Sequence, residues 1–436
     1  MCTNARTVTP APCTMKILQI PTALLRYLPL MMLRGSTIVL KFGLSFYVAR
    51  FIGLNELGIY GLVVGATLVV PNFYRAGLTS SITRTLMNRE PAHMTHDLRH
   101  YLAWTLACYA LTLAALPWIQ NQNFSAVLRV NLYVVWLIVL AEHLAADMAL
   151  LLNNLYQSHR ANLFGLAQTA IWVLPFVTLG LVFPGLRSLS AMLAFWAAGA
   201  LLSVLGCASL FAHWPWRGGP SIQKRWFAVN LRASGYLYFS DLTGTLGQFV
   251  DRYLIAMLID VEHAGIYTLF FQLANAVYTL VSSSIVNVHR PKVLSTFQQG
   301  DVATASGLLR SLQRESLLSM LAMSLVTGLL FQYAAPLLKR PLVLTYLPLL
   351  WCIFAATVCK AWCLTSFMEL YARHFDRELF WLNMLVLAMV TLGCAALIPV
   401  LGIYGIALAT ALTYLCLLAL VHRTVRIKNS GALHGR

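Results

Sequence analysis

The sequence predicts an all-α integral membrane protein with about twelve transmembrane helices in two pseudo-symmetric six-helix lobes around a central cavity. Hydrophobic residues make up 59% of its 436 residues and charged residues only 10%, whereas soluble domains contain about 25% charged residues. The apolar residues form runs of about twenty, the length that a helix needs to cross a bilayer. A segment of ten residues in the first half of the chain also resembles a segment of its second half. This composition excludes soluble enzymes, disordered scaffolds and disulfide-rich secreted domains.

The predicted helices follow one another with short breaks, at residues 28–52, 57–84, 99–119, 126–158, 161–183, 188–212, 232–259, 263–288, 310–338, 342–371, 378–399 and 402–422. The preceding segment, 1–27, lacks a basic stretch followed by a short apolar core and a small-residue cleavage site. It is therefore predicted to be a cytoplasmic tail rather than a cleaved signal peptide. Residues 423–436 are predicted to form a basic cytoplasmic tail.

The basic residues predict the orientation of these helices. With both termini in the cytoplasm, 21 of the 31 Lys and Arg residues lie on the cytoplasmic side, 5 lie on the opposite side and 5 lie inside helices. Such a bias is the one that the positive-inside rule requires. The net charge of +17 is thus explained by orientation and by contact with anionic lipid headgroups. No nucleic-acid partner is expected, because the bases do not form a stripe on a soluble surface.

The two halves of the chain contain related segments. Residues 51–60, FIGLNELGIY, align with residues 258–267, LIDVEHAGIY, at an offset of 207. A parallel duplication of this kind predicts a transport path between two lobes related by an axis along the membrane normal. The predicted lobes are 28–212 and 232–422, and 213–231 is the predicted cytoplasmic linker.

Motifs of soluble enzymes are absent from the sequence. It has no Gly-x-x-x-x-Gly-Lys-Ser/Thr, HExxH or Gly-x-Ser-x-Gly, so we expect no catalytic residue, no cofactor and no ATP binding through a P-loop. Glu142, His143 and Asp147 resemble a metal-ligand cluster. However, the first two point about 100° apart on a helix, so no metal site is predicted.

Three bases lie inside the first two predicted helices. Arg34 and Lys41 are seven residues apart and share a face, while Arg75 follows in the second helix. A charge at a helix centre costs about 2.5–3.5 kcal/mol, so each should face a partner or water. These helices contain no acid of their own beside them. One interpretation is pairing with acids of other helices, and the other is a cationic cavity that binds an anion such as a diphosphate.

The second half has its own polar positions. Gln248 and Arg252 lie seven and eleven residues after Asp241, so the three residues share one face of the seventh helix. Lys360 and Glu369 lie in the tenth helix. Pairing between helices and a polar cavity or an ion-coupling site are both open for these residues.

Four segments resemble a known family. FIGLNELGIYGLVV and AGLTSSITRTLMNRE are similar to the first helices of polysaccharide (O-antigen type) flippases, of the multidrug/oligosaccharidyl-lipid/polysaccharide exporter superfamily. FVDRYLIAMLIDVEHAGIYTLFFQLANAV resembles their seventh and eighth helices, and LGIYGIALATALTYL their twelfth. The resemblance covers the full chain.

This resemblance implies a non-enzymatic transporter of the bacterial inner membrane. It would move an undecaprenyl-diphosphate-linked oligosaccharide from the cytoplasmic to the outer leaflet by alternating access, driven by an ion gradient or the membrane potential. The implied cationic cavity contains Arg34, Lys41 and Arg75, with Asp241 and Arg252 in the opposing lobe. The implied partners are the lipid-linked oligosaccharide and membrane lipids, with a polysaccharide polymerase and a chain-length regulator as candidates.

Two other functions stay open at this point. Drug exporters of the superfamily often couple transport to a cation through an acid in the first helix. This first helix has only bases, but the acids of the seventh helix keep drug export open. A membrane glycosyltransferase or ligase would need a large loop with catalytic acids, and the predicted loops are short. Twelve predicted helices also argue against the lipid II flippase branch, whose members have fourteen.

Overall fold

A computed structural model describes residues 22–79, 82, 91–120, 130–155, 157–216, 223–299, 301–373 and 375–434. Most of the predicted tail 1–27 lies outside the described residues. Arg34 belongs to a described helix, but its side chain lies outside the described part of the structure.

The described residues form twelve long helices. In chain order they are α1 (Thr22–Tyr47), α2 (Leu54–Arg75), α3 (Pro91–Gln120), α4 (Leu132–Asn154), α5 (Ser158–Val182), α6 (Leu189–Phe211), α7 (Lys224–Leu258), α8 (Val261–Val281), α9 (Val302–Ala334), α10 (Leu347–Ala372), α11 (Asp376–Leu401) and α12 (Tyr404–His434). Eleven of them are long and apolar enough to cross a membrane. The exception is α7, which contains Asp241, Asp251 and Arg252. The prediction of an all-α, multi-pass membrane protein of about twelve helices is confirmed.

Three short π-helical turns interrupt or extend these helices. Val48–Ile52 extends α1, and Ala167–Ile171 lies within α5. Ser282–Val286 continues α8 into a further helix, Asn287–Gln298. A π-turn adds a residue to the helical turn and commonly occurs at functional sites.

Several helix ends differ from those that the hydropathy pattern predicts. α2 ends at Arg75 rather than at residue 84, because Ala76 and Gly77 take positive φ angles of 46° and 76° and so leave the right-handed helix. The chain after α8 is helical to Gln298. A break between helices was expected there from residue 289, because the polar residues of this segment carry no hydropathy signal. α7 begins at Lys224, within segment 213–231, and α12 continues to His434.

Side chains define several helix starts. Each such residue accepts a hydrogen bond from a backbone N–H group of the first turn, which has no partner within the helix. Asp260 accepts one from His263 at 2.7 Å, and Asp301 accepts one from Thr304 at 3.0 Å. The hydrogen bonds from Thr304 also lower the pKa of the Asp301 carboxyl. These caps fix where α8 and α9 begin.

The helices form two lobes, α1–α6 and α7–α12, which meet where α2 packs against α8. A Cβ atom added to Gly58 would lie 2.0 Å from the carbonyl oxygen of Val261, and one added to Gly265 would lie 1.9 Å from the carbonyl oxygen of Leu54. Gly58 corresponds to Gly265 and Leu54 to Val261 at the offset of 207. The contact is thus reciprocal, as a two-fold pseudo-symmetric interface requires. Small residues permit such close approach of membrane helices.

Candidate functional site

A cavity of about 420 Å³ lies between the two lobes. It begins beside the glycine contact, at Tyr60 and Thr268, and extends along α2 and α8 to Arg75 and Thr279. Lys41, Arg75 and Arg252 line it, and no Asp or Glu is among its described lining residues. Its remaining polar lining consists of uncharged side chains: Tyr60, Asn72, Thr245, Gln248, Thr268, Gln272, Asn275 and Thr279. We refer to this space as the central cavity.

Arg252 is the most enclosed base of the central cavity. Its residue surface is only 4% exposed, and its guanidinium lies 4.8 Å from the ring centre of Phe249 and 4.4 Å from that of Phe271. Its Nε atom is buried without a hydrogen-bond partner. A buried guanidinium N–H without an acceptor is costly. Arg252 is therefore prepared for an acceptor that enters the cavity.

The neighbouring Asp251 points away from this position. Its carboxylate accepts hydrogen bonds from the Tyr267 hydroxyl at 2.5 Å and from the backbone N–H of Arg252 at 2.7 Å. It lines a separate small cavity together with Lys360. Asp251 thus balances charge near Arg252 without occupying the hydrogen-bonding atoms of the guanidinium.

Lys41 lines two cavities. The second is a space of about 250 Å³ within the first lobe, where Glu142 lies. The Glu142 carboxylate accepts hydrogen bonds from Trp196 Nε1 at 2.6 Å and from Gln168 Nε2, and it interacts electrostatically with Lys41. Lys41 therefore lies between the Glu142 carboxylate of the first lobe and the central cavity.

Arg75 is held by an ion pair. Its Nε and Nη2 atoms each lie 2.9 Å from Asp147 Oδ1, and Nη1 donates to Asn72 Oδ1 at 3.1 Å. Asp147 also accepts from the Tyr101 hydroxyl and lies 3.0 Å from His143 Nε2. The acids that the first two helices lack are thus supplied by α4, and Arg75 both pairs and lines the central cavity.

The other predicted polar residues do not all lie together. Gln248 lines the central cavity, whereas Asp241 lines a larger cavity within the second lobe. Lys360 lies beside Asp251, and its ammonium is 5.3 Å from the ring centre of Tyr278. Glu369 pairs with Arg373 one turn further along α10 at 2.5 Å, not with Lys360. Gln248 and Lys360 both line the small cavity beside Asp251, so the structure separates only Asp241 and Glu369 from the other residues.

Among the inter-lobe hydrogen bonds, two near the central cavity join side chains that the sequence reasoning did not select. Asn72 Nδ2 donates to Thr245 Oγ1 at 2.5 Å, which joins α2 to α7. Ser45 Oγ donates to Gln272 Oε1, also at 2.5 Å, which joins α1 to α8. An uncharged polar residue inside an apolar helix is the only signal that could have identified them.

A family profile described as "Polysaccharide biosynthesis protein" matches residues 27–297, more than half of the chain. The chain belongs to this family. The expected membership in a polysaccharide flippase family is thereby confirmed. No curated protein sequence matches this family member significantly.

Solved structures of the same fold are distant in sequence. An inward-facing MATE-family multidrug transporter is 13% identical, with a TM-score of 0.71 over 91% of this chain and 95% of its own. The lipid II flippase MurJ in an inward closed conformation is 13% identical, with a TM-score of 0.74 over 92% and 87%. An outward-facing MATE transporter is 14% identical, with a TM-score of 0.56 over 94% and 96%. These three structures of the same fold are two transporters and a flippase.

Proposed function

We propose that this protein is a flippase that moves a polyprenyl-diphosphate-linked oligosaccharide across the membrane. The observation that carries the proposal is the charge of the central cavity, whose described lining contains three bases and no acid. Arg252 lines this cavity, and its buried Nε–H has no hydrogen-bond partner among the described residues. A diphosphate supplies both the negative charge and the acceptor oxygens that this arrangement requires, and guanidinium groups suit such oxygens well.

The three bases contribute to diphosphate binding in different ways. Arg75 is oriented by Asp147 and Asn72, so it contributes positive charge from a fixed position. Lys41 is balanced by Glu142, which lines the first-lobe cavity and not the central cavity. Arg252 has the most hydrogen-bonding capacity left for a ligand. The same charges disfavour a cationic drug, which makes a cation-coupled drug exporter the weaker proposal.

The distribution of bases supports a bacterial inner-membrane orientation with both termini in the cytoplasm. In that orientation the glycine contact between α2 and α8 closes the outer end, and the central cavity faces the cytoplasmic leaflet. The higher TM-scores with the two inward conformations than with the outward-facing one support this assignment. For the central cavity to open toward the outer leaflet, Gly58 and Gly265 would have to separate, as alternating access demands.

The membrane potential or an ion gradient would drive this cycle. Moving one uncompensated charge across the field is worth about 2.3 kcal/mol per 100 mV, and the bases of the central cavity change the charge that the loaded protein carries. On the outer leaflet, the delivered repeat unit would be available to a polysaccharide polymerase and its chain-length regulator. We propose no enzymatic step for this chain.

The decisive test quantifies the lipid-linked oligosaccharide on each leaflet of the inner membrane in cells lacking the gene. Accumulation of completed, unpolymerised repeat units on the cytoplasmic face is the expected result. Normal outward delivery, in cells without a redundant transporter, would reject the flippase and leave drug export as the leading alternative.

Arg252→Gln is expected to reduce surface polysaccharide at least about tenfold, because the charge and the hydrogen bonds to phosphate are lost together. Arg252→Lys should retain part of the activity, since it restores the charge but not the planar donors. Complementation of the deletion strain measures both, with membrane insertion checked by immunoblot. Arg160→Gln is the matched control, because Arg160 is exposed and, within the described part of the chain, bonds only to Gln157. Wild-type polysaccharide in Arg252→Gln would contradict the assignment.

A further inference from the structure

A further cavity has no role in the proposed transport of a diphosphate. It has a volume of about 570 Å³ and lies within the second lobe, between α7, α8, α9, α10 and α11. This volume falls within the range of sites for small ligands. We call it the second-lobe cavity.

Its walls combine hydrogen-bonding groups with aromatic rings. Asp241, Asn287, Arg290 and Asn383 line it, as do Tyr278 and Phe367, and the Arg290 guanidinium lies 5.0 Å from the ring centre of Tyr371. Asn383 is positioned by its own Nδ2, which donates to Ser240 Oγ at 3.0 Å. Its amide oxygen and the Asp241 carboxylate are thus acceptors at neighbouring positions of the wall. Side chains of these kinds hydrogen-bond hydroxyl groups, and aromatic rings pack against the apolar faces of sugar rings.

One wall group also lacks a partner. Ser316 is 3% exposed, and its hydroxyl is buried without a hydrogen bond. The π-helical turn Ser282–Val286 borders the same cavity through Ser282 and Val286. A polyprenyl chain would leave the exposed Asp241 carboxylate of this wall without a hydrogen-bond donor, which is unfavourable. A polyhydroxylated ligand supplies donors to it.

Helix α7 lines both the second-lobe cavity and the central cavity. Asp241, Thr245, Gln248 and Arg252 occur at helical spacing. Asp241 lines the second-lobe cavity, and the other three line the central cavity. The Thr245 hydroxyl donates to the backbone carbonyl of Asp241 at 2.9 Å. The rise between Asp241 and Arg252 along a helix is about 16 Å. A sugar chain attached to a diphosphate at Arg252 would therefore reach Asp241 by following these four residues along α7.

We propose that the second-lobe cavity binds the oligosaccharide of the transported lipid, while the central cavity binds its diphosphate. The proposal rests on the proposed flippase function and assigns a separate site to the part of the substrate that varies between polysaccharides. Asp241 and Asn383 are then residues that determine glycan specificity. The cavity contributes nothing to recognition of a polyprenyl diphosphate without sugars.

Two probes separate the sites, with the full-length protein in lipid nanodiscs. One is undecaprenyl diphosphate, and the other is the lipid-linked repeat unit extracted from the deletion strain. We expect the wild type to bind the glycosylated probe about tenfold more tightly, from a few additional hydrogen bonds. Asn383→Leu and Asp241→Asn should each lose most of this increment and keep their affinity for undecaprenyl diphosphate. Arg252→Gln should weaken both probes.

Leu392→Ala is the control on α11, because Leu392 is 69% exposed on the outside of the described structure. Thermal unfolding verifies that each variant is folded, and the two cavity variants give independent tests. Equal affinities of the wild type for both probes, or unchanged discrimination in both variants, overturn the glycan site. Weaker binding of undecaprenyl diphosphate in those variants overturns it too and indicates a polyprenyl site. Failure of the wild type to bind either probe instead rejects the proposed function.

Discussion

Gly265→Val is expected to abolish surface polysaccharide while the protein still inserts into the membrane. The added Cβ would lie 1.9 Å from the carbonyl oxygen of Leu54, a backbone atom that cannot rotate away. Overpacking a rigid contact costs about 1–3 kcal/mol, and a collision between two backbones should reach the upper end of that range. A cost of about 3 kcal/mol disfavours the closed contact by roughly a hundredfold. Gly58→Val should have the same effect, because the contact is reciprocal.

Surface polysaccharide in a complemented deletion strain and thermal unfolding of the purified protein measure this effect. Gly43→Ala and Gly307→Ala are matched controls, since a Cβ atom at either position meets nothing within 4 Å. Gly61→Ala provides an intermediate case, because it meets the side chain of Thr268 rather than backbone. If Gly58→Val and Gly265→Val both transport normally, the glycine contact is not part of the transport cycle.

The repeat that predicted two lobes also marks their contact, although the sequence alone did not indicate that the two copies touch. Apolar length and composition identified the helices because each has to fill a bilayer. The aligned glycines could be recognised as equivalent. Their contact, however, depends on the axis of the assembled lobes, which no local pattern encodes. The polar helix Asn287–Gln298 was missed for the opposite reason, since a helix without an apolar run gives no hydropathy signal.

The charges of the site could be found from the sequence, but not their partners. At the offset of 207, Gln248 of the second lobe is equivalent to Lys41 of the first. One base of the central cavity therefore lies where the two repeats differ. Glu142 and Asp147 are five residues apart and point about 140° apart on a helix. One therefore meets Lys41 and the other Arg75. Which acid meets which base depends on how α4 packs, whereas the Glu369–Arg373 pair follows from their spacing along one helix.

The ion pair between Arg75 and Asp147 permits a test that separates structure from transport. Removing one partner of a buried pair typically costs about 3–5 kcal/mol, because the other charge is left uncompensated. Asp147→Leu alone and Arg75→Leu alone should each lower the free energy of unfolding by less than this amount, because the Arg75 side chain is 27% exposed and solvent screens the remaining charge. Asp147 also accepts a hydrogen bond from Tyr101, so its replacement should be the more damaging of the two.

The double variant, Arg75→Leu with Asp147→Leu, should recover much of this stability, because replacing both members of a buried pair by apolar groups is often nearly neutral. Transport should nevertheless stay low, since the central cavity would still lack one of its three bases. Thermal unfolding and surface polysaccharide, measured on all three variants, form a double-mutant cycle. Recovery of both stability and transport in the double variant would mean that Arg75 serves only to hold α2 against α4. The diphosphate site would then consist of Lys41 and Arg252, with Arg34 as the remaining candidate from the sequence.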